Sequence, residues 1–369
     1  MGIGDRLPGA ICGLLSRPDR IQQDLSTEIK LQARVAIFYN EEFLSHVQSP
    51  FHPESPERLR GIIQKLKEHG LWKDVRASKS GNVDHLKLVH DEDYIDFIKT
   101  CGECAITLDT TVHHETYGIA ALSAECAIDA AMCSKKENKP TFALTRPPGH
   151  HAGRDYGMGF CYFNNISIAA KYLQKDGDKK IAIVDLDVHH GNGTQEIFLR
   201  DPTVLYISTH QAEVFPGTGR VEDAGVGEGL GFTLNMPFPS GCGDSTMDVA
   251  MAEVIVPVVK AFAPDAILVS WGVDTHYMDT LASMTLSSDG HIRQAKELLK
   301  LAKICGDRIT FTLEGGYNIP ALSEVMAGVI GAADGVEIPM EFTDMIDNSC
   351  LGRGVILRCK QVASKYWKL

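Results

Sequence analysis

The chain has 369 residues, 44% of them hydrophobic and 23% charged, which is enough apolar material for one large core or two ordinary ones and argues against wholesale disorder. Its 48 acidic and 36 basic residues leave a net charge of −12, so there is no general electrostatic reason to hold nucleic acid, and a cationic substrate suits the field better. No apolar run reaches the roughly 18–20 residues of a membrane span, and ten cysteines scattered through a chain of this size read as free thiols in a reducing compartment.

The opening, Met1-Gly-Ile-Gly-Asp-Arg6, has no apolar core with a small-residue cleavage site, and Arg6 stands where a myristoylation signal wants Ser or Thr. Cytoplasmic residence is therefore expected, with nuclear or organellar residence left open. Residues 1–30 carry no placeable pattern and are expected to be an N-terminal extension to a catalytic domain spanning 31–369. From Arg34 onward, short apolar strands alternate with polar loops and helical patterns. Strands are expected at Arg34–Tyr39, Thr141–Thr145, Lys180–Asp187, Thr203–Ser208, Asp265–Trp271 and Arg308–Leu313. Ile181-Ala-Ile-Val and Ala266-Ile-Leu-Val are apolar on both faces, as in a covered parallel sheet. Helical patterns cover Thr116–Cys133, Ser245–Phe262, Asp289–Ile304 and Ile319–Ile330. This alternation predicts a single three-layer α/β/α domain around a central, mostly parallel sheet. Cys101-Gly-Glu-Cys104 lacks a second CxxC and reads as ordinary rather than as a zinc or redox site.

Ligands bind beyond the carboxyl ends of strands in open α/β sheets, and the unusual polar residues of this chain collect there. Asp185, Asp187 and His189 follow one another at spacing two, so in extended geometry they face the same way. Asp187 and His189 offer an oxygen and a nitrogen to one metal, and Asp274, after a neighbouring strand, is a natural third ligand. Three protein ligands with one open position is the catalytic arrangement for zinc. Two oxygens and one nitrogen form a harder set than most zinc sites, so iron(II) stays open. His150 and His151 are adjacent on a loop opened by Pro147-Pro148-Gly149, suited to taking a proton from metal-activated water. Asp185 and Asn192 are placed to accept from their second ring nitrogens. Glu314-Gly-Gly-Tyr317 gives a flexible turn on which a phenol can meet a developing oxyanion. Phe160 (after Gly159) and Phe215 are candidate walls of a slot for an alkyl chain. Ser208 is a candidate helper for a monovalent cation. His113, His114 and His52 read as rim or solvated residues, and His276 and His291 as structural or exposed ones.

Arg146-Pro-Pro-Gly-His-His-Ala152, Gly159-Phe-Cys-Tyr-Phe-Asn-Asn165, Asp185-Leu-Asp-Val-His-His-Gly-Asn-Gly193 and Glu314-Gly-Gly-Tyr317 resemble, in order, the motifs of the histone deacetylase superfamily. This group shares the arginase-like fold and includes acetylpolyamine amidohydrolases. The class II branch is the nearer match, through His52-Pro-Glu-Ser-Pro-Glu-Arg-Leu59 and through Asn192, where class I members have aspartate. The resemblance implies zinc on Asp187, His189 and Asp274, and a base/acid pair of His150 and His151 held by Asp185 and Asn192. It further implies Tyr317 as the carbonyl-polarising phenol and Gly159, Phe160 and Phe215 as channel lining. A structural potassium ion would sit on Asp185, Asp187, His189 and Ser208 with main-chain oxygens. Asp109 falls near the position that grips substrate backbone in some members, and Arg58 near an internal channel arginine. Two departures stand out. Asp279-Thr-Leu-Ala-Ser283 replaces the frequent Asp-Pro-Leu-Gly-Gly, and Leu281 occupies the place of a gatekeeping glutamate in a polyamine-selective member.

These readings converge on a zinc-dependent hydrolase that removes acetyl, or another acyl group, from lysine side chains of proteins. Three rivals remain: an acetylpolyamine or other small-amide hydrolase, a non-catalytic acyl-lysine binding protein, and a two-manganese ureohydrolase, which would need further aspartate ligands. The partners implied are an acylated protein or acetylated amine, without nucleic acid or membrane. Monomer and homo-oligomer both stay open.

Overall fold

A computed structural model describes residues 34–344 and 351–368; the expected extension at 1–30 lies outside the described residues. In chain order the strands are β1 (Ala36–Phe38), β2 (Val75–Arg76), β3 (Cys104–Ala105), β4 (Thr111–Val112), β5 (Thr141–Ala143), β6 (Ile181–Asp185), β7 (Val204–Gln211), β8 (Thr233–Phe238), β9 (Ala266–Trp271) and β10 (Ile309–Leu313). Eight of them form one sheet in the order β2-β1-β5-β10-β9-β6-β7-β8, and every pairing in it is parallel. β3 and β4 pair antiparallel as a separate hairpin.

Alternation along the strands explains the layering. Ala182 and Val184 of β6, Leu205 and Ile207 of β7, and Ile267 and Val269 of β9 join one apolar core. Their neighbours Ile181, Ile183, Val204, Tyr206 and Leu268 join a second core on the opposite face. The first core is closed by helices Glu57–Glu68, Ser288–Leu301, Ile319–Asp334 and Arg353–Ala363, through residues such as Ile62, Leu298, Val325 and Ile356. The second is closed by Glu92–Thr100, Thr116–Glu137 and Asn165–Lys175, through residues such as Ile98, Ala124 and Ile168. The result is the expected three-layer α/β/α fold. The helix expected over Ser245–Phe262 runs from Asp244 to Phe262 with a π turn at Met251–Ile255, just before Pro257, whose missing N–H disturbs the regular ladder.

Register then lines up the functional ends. Asp185 pairs with Ser208 on β7 and with Ser270 on β9, while Trp271 on β9 pairs with Leu313 on β10. Strands β5, β6, β9 and β10 therefore release their loops from one edge of the sheet, and those loops carry the candidate site. Among the described residues no helix is long and apolar enough to cross a membrane.

Candidate metal and histidine centre

The side chains of Asp187, His189 and Asp274 each bring one ligand atom within 4.8 Å of the others. His189 Nδ1 lies 3.2 Å from Asp187 Oδ1 and 3.2 Å from Asp274 Oδ2. Backbone amides fix the remaining oxygens: Gly315 N donates to Asp187 Oδ2 at 2.7 Å, and Val188 N to Asp274 Oδ1 at 3.0 Å. Glycine is required nearby because a Cβ at Gly272 would stand 2.3 Å from Asp187 Oδ2, and one at Gly315 2.2 Å from Asp274 Oδ2. Both carboxylates are buried, and among the described residues neither pairs with a lysine or arginine. Burial, and then the charge of Asp187, push Asp274 up to about 7. Burial opposes charge on His189, but the two carboxylates override it and raise that ring to about 10. Two buried carboxylates converging on one imidazole, with no lysine or arginine beside them among the described residues, suit a divalent cation.

The loop after β5 brings two histidines alongside. Their ring centroids are 4.0 Å apart. Gly149 N and His150 N both donate to Glu314 Oε2, at 2.8 and 3.2 Å, and Ser270 Oγ donates to Glu314 Oε1 at 2.9 Å. Glu314, raised to about 7 chiefly by burial, thus anchors the histidine loop. Sequence reading used it only as part of a motif; its signal was a carboxyl group directly after a fully buried strand.

His150 Nδ1 lies 3.2 Å from Asp185 Oδ2, which also accepts from the Tyr206 hydroxyl at 3.0 Å. Burial disfavours charge on His150, yet Asp185 and Asp187 outweigh it and raise the ring to about 10. His151 Nδ1 meets Asn192 Oδ1 at 2.8 Å. Burial first, then the neighbouring His150 and His189, hold His151 well below the usual imidazole range. The two adjacent rings thus sit in opposite surroundings, carboxylates favouring charge on His150 while burial and neighbouring histidines disfavour it on His151.

Tyr317 sits on the turn after β10, where Gly316 adopts φ +115°. Asp279 Oδ2 accepts from Tyr317 N at 2.6 Å and Asn318 N at 3.0 Å, a support that sequence reading missed. The Arg58 guanidinium carbon lies 5.0 Å from the Tyr317 ring centre, and Arg58 Nε donates to Gly316 O at 2.7 Å. Burial of the hydroxyl raises this phenol well above its ordinary value, so it remains a donor. Beneath it, buried Glu54 accepts from Arg58 at 3.2 Å and from Arg146 at 2.8 Å. Burial opposes its charge, but Arg146, His46 and Arg58 hold its carboxyl well below normal.

The expected channel residues gather around these groups. Phe215 lies edge-on to His151 at 5.0 Å and to His189 at 6.3 Å, and Phe160 edge-on to Tyr317 at 5.8 Å. Gly159, at φ +55°, fits where a Cβ would come within 2.5 Å of His151 and 2.8 Å of Phe215. Asp109 accepts from the hydroxyls of Thr107 and Thr110, and Thr110 Oγ1 in turn accepts from Phe160 N at 2.9 Å. His52 Nε2 lies 3.3 Å from Asp109 O, with its ring 4.6 Å from Phe160. Leu281 is 40% exposed on the segment whose Asp279 supports Tyr317. Ser208 is buried opposite Asp185 in register, its hydroxyl 2.9 Å from His210 Nδ1. His276 and His291 are buried and bonded to Ser288 and Thr275.

Comparison with known proteins agrees with this geometry. The Histone deacetylase domain family matches residues 52–333. The chain is 38% identical over 352 residues to a probable deacetylase of Archaeoglobus fulgidus, covering 90% of this chain and 98% of that protein. It is 38% identical over 304 residues to the chloroplastic histone deacetylase 14 of Arabidopsis thaliana, covering 75% of this chain and 71% of that one. The crystal structure of the HDA15 HD domain superposes with a TM-score of 0.83 at 33% identity, covering 90% of this chain and 96% of that chain. Fold, strand-end chemistry and similarity over most of its length place the chain in the histone deacetylase family, as a hydrolytic deacetylase.

Proposed function

We propose that this deacetylase hydrolyses the side-chain amide of acylated lysine in proteins, acetyl-lysine first among them, giving carboxylate and free amine. The observation that carries the reading is the pair of adjacent histidines, one held by the Asp185 carboxylate and the other by the Asn192 amide, beside the Asp187–His189–Asp274 triad. Those three residues would hold zinc, with iron(II) as the other candidate. Bound there, such an ion supplies Lewis acidity to a carbonyl oxygen and lowers the pKa of water. Neutral His151 accepts the proton of the attacking water at Nε2, since Nδ1 is engaged by Asn192. Protonated His150, held by Asp185, supplies the proton that the departing amine needs. The Tyr317 hydroxyl donates to the oxygen on which negative charge develops. Phe160, Phe215 and Gly159 flank the alkyl chain and keep bulk water out, while Asp109 orients the substrate backbone.

Asp185, Asp187, His189 and Ser208, with main-chain oxygens, are assigned to a structural potassium ion; the buried serine opposite Asp185 supports this. The exposed apolar Leu281 favours a peptide over a polycation at the entrance. In this reading residues 31–369 form the catalytic domain, acting in the cytoplasm on acylated proteins.

The test is kcat/KM of the zinc-loaded protein on an acetyl-lysine peptide and on an acetylated polyamine. Tyr317→Phe should cost about 10²–10³ in kcat, and Asp187→Ala should leave no metal-dependent turnover. Preference for the polyamine would overturn the substrate assignment. Absence of turnover on both, with metal bound, would favour an acyl-lysine binder or another acyl group.

A further inference from the structure

His151 begins a chain of hydrogen bonds that ends on the protein surface. Asn192 Oδ1 is 2.8 Å from His151 Nδ1, and the other end of the same amide, Nδ2, donates to the Tyr156 hydroxyl at 3.1 Å. The Tyr156 hydroxyl donates to Glu196 Oε2 at 2.7 Å. Glu196 lies on the exposed face of the short helix Asn192–Phe198, so that Asn192 and Glu196 stand one helical turn apart and straddle the phenol. A tight turn holds the ring in place. Gly153 N donates to Tyr156 O at 3.0 Å, and a Cβ on Gly153 would lie 2.3 Å from the ring.

An amide presents a donor and an acceptor of nearly the same shape, so it can meet a histidine nitrogen with either end. Here directionality decides which. The Glu196 carboxylate only accepts, so the Tyr156 O–H points to it. Burial, and then the Glu196 contact, keep that phenol protonated. Its oxygen is left to accept from Asn192, which requires Nδ2 on that side. Met158 Sδ, 3.5 Å from the same nitrogen, accepts there too. Oδ1 therefore faces His151, Nδ1 carries the ring proton, and the lone pair of the neutral imidazole falls on Nε2. Turning the amide over would set its oxygen against the phenol oxygen, unless the phenol gave up its charge-assisted bond to Glu196.

We propose that Tyr156 and Glu196 are positioning residues that fix the orientation of the Asn192 amide and, through it, the tautomer of His151, so that a surface carboxylate keeps Nε2 available as a base. The proposal deepens the assignment of His151 as the base and rests on it. It also accounts for a need particular to asparagine at position 192: an aspartate would present an acceptor whichever way it turned.

The ring tautomer can be read directly from two-bond ¹H–¹⁵N spectra of the zinc-loaded, [¹⁵N]histidine-labelled protein, with His151→Ala identifying the resonance. The parent should show protonated Nδ1. Tyr156→Phe, which keeps the ring, and Glu196→Leu, on the surface, should both populate the form protonated at Nε2. Kinetically, Tyr156→Phe should lower kcat about tenfold and Glu196→Leu less, with KM within about twofold, as partners behind a site residue do. In an Asn192→Asp background, Tyr156→Phe should change kcat by less than about twofold, because the ambiguity it resolves is gone. An unchanged tautomer in both variants, or the same kcat loss in either background, would overturn the relay. A shifted tautomer with kcat intact would uphold the relay and instead remove His151 from the role of base.

Discussion

The strand-end centre and the rim around it are built by opposite means. At the centre, Asp187, Asp274 and Glu314 are almost fully buried, and backbone amides of Gly315, Val188, Gly149 and His150 hold their oxygens. At the rim, Phe51, next to His52, and Leu108, next to Asp109, are wholly exposed, and the loops are joined through contacts such as His52 to Asp109. The geometry of the centre is thus fixed by the sheet, whereas the rim rests on exposed loops, where substrate discrimination is expected to lie.

The sharpest way to break this contrast is to intrude on the centre by one carbon. Gly315→Ala places a methyl group 2.2 Å from Asp274 Oδ2 and 2.6 Å from Asp187 Oδ2. Zinc affinity, measured by competition with a chelating indicator, should fall about 10–100-fold, as when ligand support is disturbed. Gly118→Ala, where a Cβ meets nothing within 4 Å, should leave it unchanged. If both behave alike, the tight fit around the carboxylates is not what sets affinity.

A smaller effect tests the join between centre and rim. The Glu54 carboxyl is held well below its ordinary 4.5, so the stability it confers is present above about pH 4.5 and lost as pH falls further. Thermal unfolding should show a midpoint that drops on acidification below that value. Glu54→Gln should be less stable at neutral pH and lose less on acidification; parallel curves would place the acid sensitivity elsewhere. Least of all, Leu281→Glu adds one exposed charge at the rim. It should move the kcat/KM ratio of acetylpolyamine to acetyl-lysine peptide upward by only about threefold, in keeping with exposed charge pairs. A drop in kcat on both substrates would show that Leu281 belongs with the centre.

Much of this was readable in the sequence. Strands β6 and β9 carry the apolar runs Ile181-Ala-Ile-Val and Ala266-Ile-Leu-Val, β10 is nearly as apolar, and the polar residues that follow them announce a ligand edge. What escaped reading depended on partners far along the chain: Glu314 holds a loop 165 residues away, and Asp279 supports a turn 38 residues on. β2 is only two residues long, so no period can show. β8 contains Asn235 and Pro237, which argue against a strand unless it lies at a sheet edge, as it does. The helix Arg353–Ala363 has only a narrow apolar stripe of Ile356, Cys359 and Ala363.

The segment from Glu314 to Tyr317 has one further consequence. Its side chain at 314 holds the histidine loop, its amide at 315 a metal-triad carboxylate, its carbonyl at 316 Arg58, and its amide at 317 Asp279. Four consecutive residues thus act as a ruler against which four separate parts of the chain are measured. Insertion or deletion of a single residue there would put all four out of step at once. Length changes at the solvent-exposed tip around Leu108 would disturb only what that loop touches. Among related proteins, the spacing within this stretch should therefore stay constant while rim loops grow and shrink.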